Sequence, residues 1–226
     1  MILPFQNIRD VFFDIDDTIA HSNLGYSDVG YFEYVLAAVF CRLKKTSFST
    51  ALTETLSAES EYPFSDPFLA AEKLGVSVPL YKAELLEFQK NYVSFFEDAV
   101  FLIKALSSQG FNLHITSNNS KSRAYAILTA AELADWDSSE YFSSVFCPEN
   151  TGFNKRNPLF YRRVIETGSF DPEKMLVVGD DAIADYDMPA EAGISHRVMI
   201  DRKNSGEDNG KRFIVSDLRN ILDKEA

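Results

Sequence analysis

The stretch Asp10-Val11-Phe12-Phe13-Asp14-Ile15-Asp16-Asp17 is a short apolar run that ends in carboxylates. Such a run suits a strand buried on both faces, with polar groups gathered at its C-terminal end. The same form recurs where Phe111 to Ile115 runs into Thr116-Ser117-Asn118-Asn119, and where Met175 to Val178 runs into Gly179-Asp180-Asp181. Val145 to Cys147 and Arg197 to Ile200 are weaker strand candidates. Helical patterns lie between them: Asp98 to Ser108 closed by Gly110, Lys121 to Leu133, Pro158 to Thr167, and Asp185 to Ala192 closed by Gly193. Strands alternating with helices at this spacing predict a three-layer α/β core with a parallel sheet and right-handed crossovers. Ligands of such sheets bind beyond the carboxyl ends of the strands, so the polar tips are expected to converge on one crevice.

From about His21 to Glu97 the alternation stops. Tyr81, Leu85, Phe88, Tyr92 and Phe95 follow helical spacing and mark one apolar stripe, and Tyr31 to Leu43 is apolar nearly all round. Asp66-Pro67 reads as an N-cap followed by proline at the first helical position, with Gly75 ending that helix. No convincing strand is present, so the segment predicts a small helical bundle. The expected division is a core from residues 1–20 and 98–226 and a helical domain from 21–97. The charged run Asp201 to Arg212 reads as flexible, before a final helix.

With 226 residues, 46% of them apolar, the chain can bury a full core. A net charge of -12 leaves no basic stripe for a phosphate backbone, which argues against nucleic-acid binding. No apolar run approaches the roughly 20 residues of a membrane-spanning helix. Met1 to Phe5 lacks the features of a secretory signal, so a cytoplasmic protein is expected. Cys41 and Cys147 have no pairing pattern, and His21, His114 and His196 have no ligand spacing, so both sets are expected to be structural. Oligomeric state leaves no trace in the pattern.

An Asp-x-Asp pair alone is a common turn or strand end. Its chemical potential lies in divided labour: one carboxylate attacks as nucleophile while the other moves a proton, provided a cation keeps the first ionised. Asp180, at another strand tip, can supply a third carboxylate, and an oxygen-rich site of this kind suits magnesium.

At these residues the chain resembles the haloacid dehalogenase superfamily. Asp14-Ile15-Asp16-Asp17-Thr18 is similar to its first motif, and Ile115-Thr116-Ser117-Asn118 to its second. Lys155, with Pro158 opening a helix three residues on, resembles the third, and Val177-Val178-Gly179-Asp180 with Asp185 and Ala192-Gly193 the fourth. The resemblance implies a Rossmann-like core with a helical cap inserted between the first and second motifs, and a magnesium-dependent phosphatase acting on a small phosphorylated substrate. In it Asp14 would be the nucleophile and Asp16 the general acid and base. Asp14, Asp180 and the Asp16 carbonyl would hold Mg2+, and Ser117, Asn118 and Lys155 the phosphoryl oxygens. Asp185 would lie behind them, orienting Lys155 or water at the metal. Asp181 adds a neighbouring carboxylate, so either it or Asp180 can be the metal ligand. Asp17 stands where many relatives carry glycine, Arg156 where proline often follows the lysine, and Pro189 sits early in a helix usually rich in alanine. Specificity is expected in the cap and in the loop His21 to Ser27, with Tyr26, Tyr31 and Tyr34 close enough to face the crevice.

The rivals are a phosphomutase, which shares all four motifs, and a non-catalytic phosphate- or partner-binding module. A dehalogenase is disfavoured because halide leaves without a proton, so neither Asp16 nor magnesium has work there. Sugar phosphates, nucleoside monophosphates and phosphoglycolate-like acids all remain open as substrates.

Overall fold

Val11 and Phe13 point to one face of the central strand and Phe12 to the other, and all three are completely buried. That alternation, period two along a strand covered on both sides, organises the molecule. The computed structural model describes residues 7–22, 30–62, 64–202 and 213–222. The proposed specificity loop beyond Ser22, Tyr26 with it, and the charged run beyond Arg202 lie outside the described residues.

The sheet has six parallel strands: β1 (Asp10–Phe13), β4 (Asn112–Thr116), β5 (Phe142–Phe146), β6 (Met175–Gly179), β7 (His196–Ile200) and β8 (Ile214–Val215). Their order is β5-β4-β1-β6-β7-β8. β1 lies between β4 and β6, with Phe13 in register with Ile115 and Val178. The sixth strand, β8, was not expected, because two residues give no periodicity to read.

Val11, Phe13, Leu113, Ile115, Leu176, Val178 and Val198 join one apolar cluster. It continues into α5 (Glu97–Ser108) through Leu102, Ile103 and Leu106, and into α6 (Lys121–Ala130) through Ala124, Ile127 and Leu128. On the opposite face, Phe12, Phe146, Met175 and Val177 pack with Phe160, Tyr161 and Val164 of α8 (Pro158–Gly168). Helix, sheet and helix therefore form the three expected layers. α6 stops at Ala130 rather than Leu133, and Glu132 beyond it takes a left-handed backbone conformation, φ +58°. A short α7 (Pro148–Thr151) precedes α8.

The expected helix from Asp185 to Ala192 is divided: a π-helical turn spans Ala182–Asp187, and α9 covers Met188–Glu191. Pro189 has no N–H to offer the carbonyl four residues earlier, which is that of Asp185. π-turns commonly mark functional sites.

Four helices occupy most of the predicted helical segment: α1 (Tyr31–Lys44), α2 (Phe48–Ser60), α3 (Pro67–Lys73) and α4 (Val78–Tyr92). Asp66 caps α3 as expected, its carboxylate accepting from the backbone N–H of Phe68 and Leu69. Gly75 follows at φ +69°. Tyr81 and Leu85 are buried and Phe88 packs beside them, but Tyr92 is exposed. Phe95 belongs to a strand, so the stripe ends with the helix. The segment also contains strand structure that helical periodicity hid: β2 (Ala20–Ser22) pairs antiparallel with β3 (Val93–Phe95). These two short strands flank the four helices.

His114 stacks on Phe12 at 4.7 Å between ring centroids and bonds Ser144 Oγ at 2.7 Å, so it is a satisfied core residue. Cys41 and Cys147 are unpaired.

Candidate active site

The strand order places three polar tips side by side, because β4, β1 and β6 are neighbours. This is where the sheet's strand order reverses, the usual location of a ligand crevice. Asp14 follows β1 and is anchored by its N–H to the Val178 carbonyl at 2.9 Å. Asp180 follows β6, and Asp185 rises from the π-turn. One carboxylate oxygen from each of Asp14, Asp180 and Asp185 lies within 4.8 Å of the others.

Burial raises all three carboxyls above the ordinary range. Asp180 is lifted to about 7 by burial and then by the charges of Asp14 and Asp185. Asp185 is also lifted to about 7, by burial first and by Asp14, with Lys155 opposing. Asp14 is raised by burial and by Asp16, again against Lys155. Crowded, desolvated carboxylates of this kind favour a cation among them.

Lys155 answers part of that demand. It is buried, and its Nζ donates to Asp14 Oδ1 at 2.5 Å and to the Thr116 carbonyl at 3.2 Å, with Asp185 Oδ1 also at 2.5 Å. Burial alone would lower its pKa, but Asp14 and Asp185 overcome this and hold it well above normal. The lysine is therefore a fixed positive charge between two carboxylates.

Asp181 faces elsewhere. Its carboxylate accepts from the N–H of Ile183 and Ala184 at the start of the π-turn and pairs with Arg156 at 2.5 Å. Asp180 alone of the two joins the carboxylate cluster among the described residues. Arg156, standing where proline is frequent in relatives, thus has an electrostatic partner.

Gly179 is required by the approach of Asp185. A Cβ there would lie 2.3 Å from Asp185 Cγ, well inside any real contact. Asp17 occupies a left-handed backbone position, φ +56°, which explains why glycine suits it in relatives. Aspartate tolerates that region better than most residues, and here its carboxylate pairs with His21.

Asp16 lies two residues beyond Asp14, and Asn119 Nδ2 donates to its Oδ2 at 2.7 Å. The residue is open to solvent, yet desolvation around its carboxyl raises the pKa while Lys155 and Asn119 pull it down. Ser117 is buried, and its Oγ accepts from the Asn119 N–H at 3.0 Å. Asn118 Oδ1 accepts from the Lys155 N–H at 2.8 Å, so this side chain ties the tip of β4 to the lysine loop.

Two neighbours of the site escaped sequence reasoning. Asn119 belongs to the polar tip read after the second strand but carried no role there, and Tyr161, buried in α8, donates to Asp185 Oδ1 at 3.4 Å. Tyr161 has helical spacing among apolar residues and gave no signal. Tyr31 is also near: burial raises its hydroxyl well above the usual tyrosine value, the Gln89 amide that donates to it opposes this, and the charge of Asp16 adds to the rise.

Arg123 of α6 is largely buried between two carboxylates. It reaches from α6 to Glu33 of α1 and Glu59 of α2, and its Nε donates to the Ser65 carbonyl at 3.1 Å. The arginine therefore joins the sheet-flanking layer to the inserted helices.

Residues 8–193 match the family model of haloacid dehalogenase-like hydrolases, and the chain belongs to that family. No curated protein matches the chain. Solved structures share the fold at low identity. A HAD phosphatase from Thermococcus onnurineus is 20% identical, with 96% of this chain and 99% of that one covered and a TM-score of 0.58. A 2-haloacid dehalogenase from Pseudomonas syringae is 17% identical over 95% and 98%, TM-score 0.58. A putative beta-phosphoglucomutase from Thermotoga maritima is 16% identical over 95% and 97%, TM-score 0.56. Identities this low establish the architecture and leave the reaction to the site.

Proposed function

We propose that this hydrolase is a magnesium-dependent phosphatase of small phosphomonoesters, working through an aspartyl-phosphate on Asp14. The observation that carries this reading is the meeting of the Asp14, Asp180 and Asp185 carboxylates, within 4.8 Å of one another, with Lys155 against Asp14. An all-oxygen set of raised carboxyls fits a hard divalent cation better than a soft one. Asp14 and Asp180 would hold it, with the Asp16 carbonyl and Asp185 beside them. When bound, the ion supplies charge neutralisation for an incoming phosphoryl group.

The chain's own groups perform the steps. Asp14 attacks phosphorus in line, forming an acyl-phosphate bond as the bond to the leaving oxygen breaks. Asp16 gives that oxygen its proton, then takes one from the water that attacks phosphorus and frees phosphate. Asn119 steadies Asp16. Ser117, Asn118 and Lys155 hold the phosphoryl oxygens, and Lys155 offsets charge building up around Asp14. The helices within residues 21–97 act as a cap over the core formed by 1–20 and 98–226, closing to exclude water.

Asp16 separates this reading from dehalogenation, where the departing halide needs no acid. With p-nitrophenyl phosphate, release should require magnesium and vanish in Asp14→Asn, while Asp16→Asn should lose about 100- to 10,000-fold in turnover. Turnover that survives Asp14→Asn refutes the mechanism.

A further inference from the structure

Next to Asn119 and Arg123 lies a cleft of about 280 Å³, lined also by Ser65, Asn118 and Ser120, with Phe64 and Pro148 as its apolar members. Asn119 links it to the carboxyl that would protonate the leaving oxygen, since its Nδ2 holds Asp16 Oδ2. The charge of Arg123 also bears on Asp16. The part of a substrate that departs with that oxygen would therefore occupy this space.

Arg123 is the only cation among the described residues lining the cleft, and its charge is already paired. Glu33 and Glu59 both pair with it, the Ser65 carbonyl takes its Nε, and the guanidinium lies 5.0 Å from the centre of the Phe32 ring. Lys155 is matched by Asp14 and Asp185, and Arg156 by Asp181. Lys121 lies outside the lining, over the Tyr125 ring at 5.8 Å. Against these cations stand the carboxylates of Asp14, Asp180 and Asp185, with Asp16 protonated for its role as acid, so a divalent ion and a phosphoryl dianion together leave the surroundings acidic. Apart from Phe64 and Pro148, what remains in the lining is neutral and polar: two asparagines and two serines.

Resting on the phosphatase reading, we infer that the leaving group is an uncharged, hydroxyl-bearing alcohol, and that phosphorylated carboxylic acids are poor substrates. A second anion would meet an arginine already held by Glu33 and Glu59, with the acidic cluster on the far side of Asn119. Like-charge placement of this kind in a desolvated site is a strong device for rejecting a substrate. A sugar or polyol phosphate offers donors and acceptors to the amides and hydroxyls with no charge to compensate. The same exclusion covers haloacids, whose carboxylate would face the same surroundings.

The test compares glycerol phosphate with phosphoglycolate, esters of similar size that differ in the carboxylate, using the full chain with magnesium. Turnover of p-nitrophenyl phosphate is followed in parallel. The expected kcat/KM for glycerol phosphate exceeds that for phosphoglycolate by about tenfold or more. Added salt should lower KM for phosphoglycolate more than for glycerol phosphate, because it screens repulsion. In the double variant Glu33→Gln with Glu59→Gln, which leaves the arginine charge uncompensated, the ratio should fall toward one. Phosphoglycolate hydrolysed as well as glycerol phosphate, by a chain active on p-nitrophenyl phosphate, overturns the inference and leaves the phosphatase reading standing. A wild-type preference that neither salt nor the folded double variant changes also overturns it. Absence of p-nitrophenyl phosphate hydrolysis overturns both.

Discussion

Gly179 is the tightest constraint on any single residue of the site. Its missing side chain lets the Asp185 carboxylate settle against the end of β6, where Lys155 reaches it. Gly179→Ala must push that carboxylate or the strand aside, and overpacking of this kind costs about 1–3 kcal/mol. Urea denaturation should show the loss, and phosphatase turnover should fall with it because Lys155 loses a partner. At this scale the sequence was informative where chemistry sits at a strand end. Asp14, Asp16 and Asp180 follow apolar runs, so their place at strand ends can be read from the pattern of the run, whereas Ser117 was singled out by the family resemblance. Asn119, Tyr161 and Arg123 were opaque for a common reason: their partners are 103, 24 and up to 90 residues away. No local spacing encodes such meetings.

Among elements, the contact of α1 and α2 with α6 is the most sensitive to solution conditions. Glu33 and Glu59 crowd one guanidinium, and burial, with Glu33 adding to it, raises the Glu59 carboxyl from the ordinary 4.5 to about 7. A carboxyl raised on folding stabilises the folded state fully below its unfolded value and loses that contribution as pH rises through the folded value. Wild type should therefore weaken between pH 5 and pH 8 relative to Glu59→Gln, by on the order of 1–3 kcal/mol. Paired denaturation curves at the two pH values measure this; an unchanging difference refutes the assignment. The elements themselves were read with uneven success. Helices with capping residues, such as α3 behind Asp66, appeared where expected. The paired strands β2 and β3, three residues each, have too little length for period two to stand out against the helical segment they flank. The π-turn falls before Met188, in a segment whose spacing reads as ordinary helix from Asp185 to Ala192.

For the whole molecule, the proposed ion site would couple stability to magnesium through the acidic cluster. Removing repulsion among Asp14, Asp180 and Asp185 should raise the melting temperature when magnesium is added. Saturation at about 100 times Kd would contribute about 2.7 kcal/mol. Asp180→Asn should abolish most of that magnesium-dependent shift, a result calorimetry can read without any substrate. A shift that persists unchanged in Asp180→Asn places the ion elsewhere. No helix among the described residues is long and apolar enough to cross a membrane. The parallel sheet was legible because five of its strands are apolar runs separated by helices. Its sixth, β8, depends on chain that returns to an edge already built.

The pairing of Ser22 with Val93 has a consequence for how such a protein can diversify. The chain departs for its inserted helices and comes back at a single rung of a two-stranded ribbon. Lengthening, shortening or exchanging everything beyond that rung would leave the registers of the large sheet intact. A lineage could therefore graft a new recognition module onto an unchanged chemical engine, and a protein engineer could do so at the same seam.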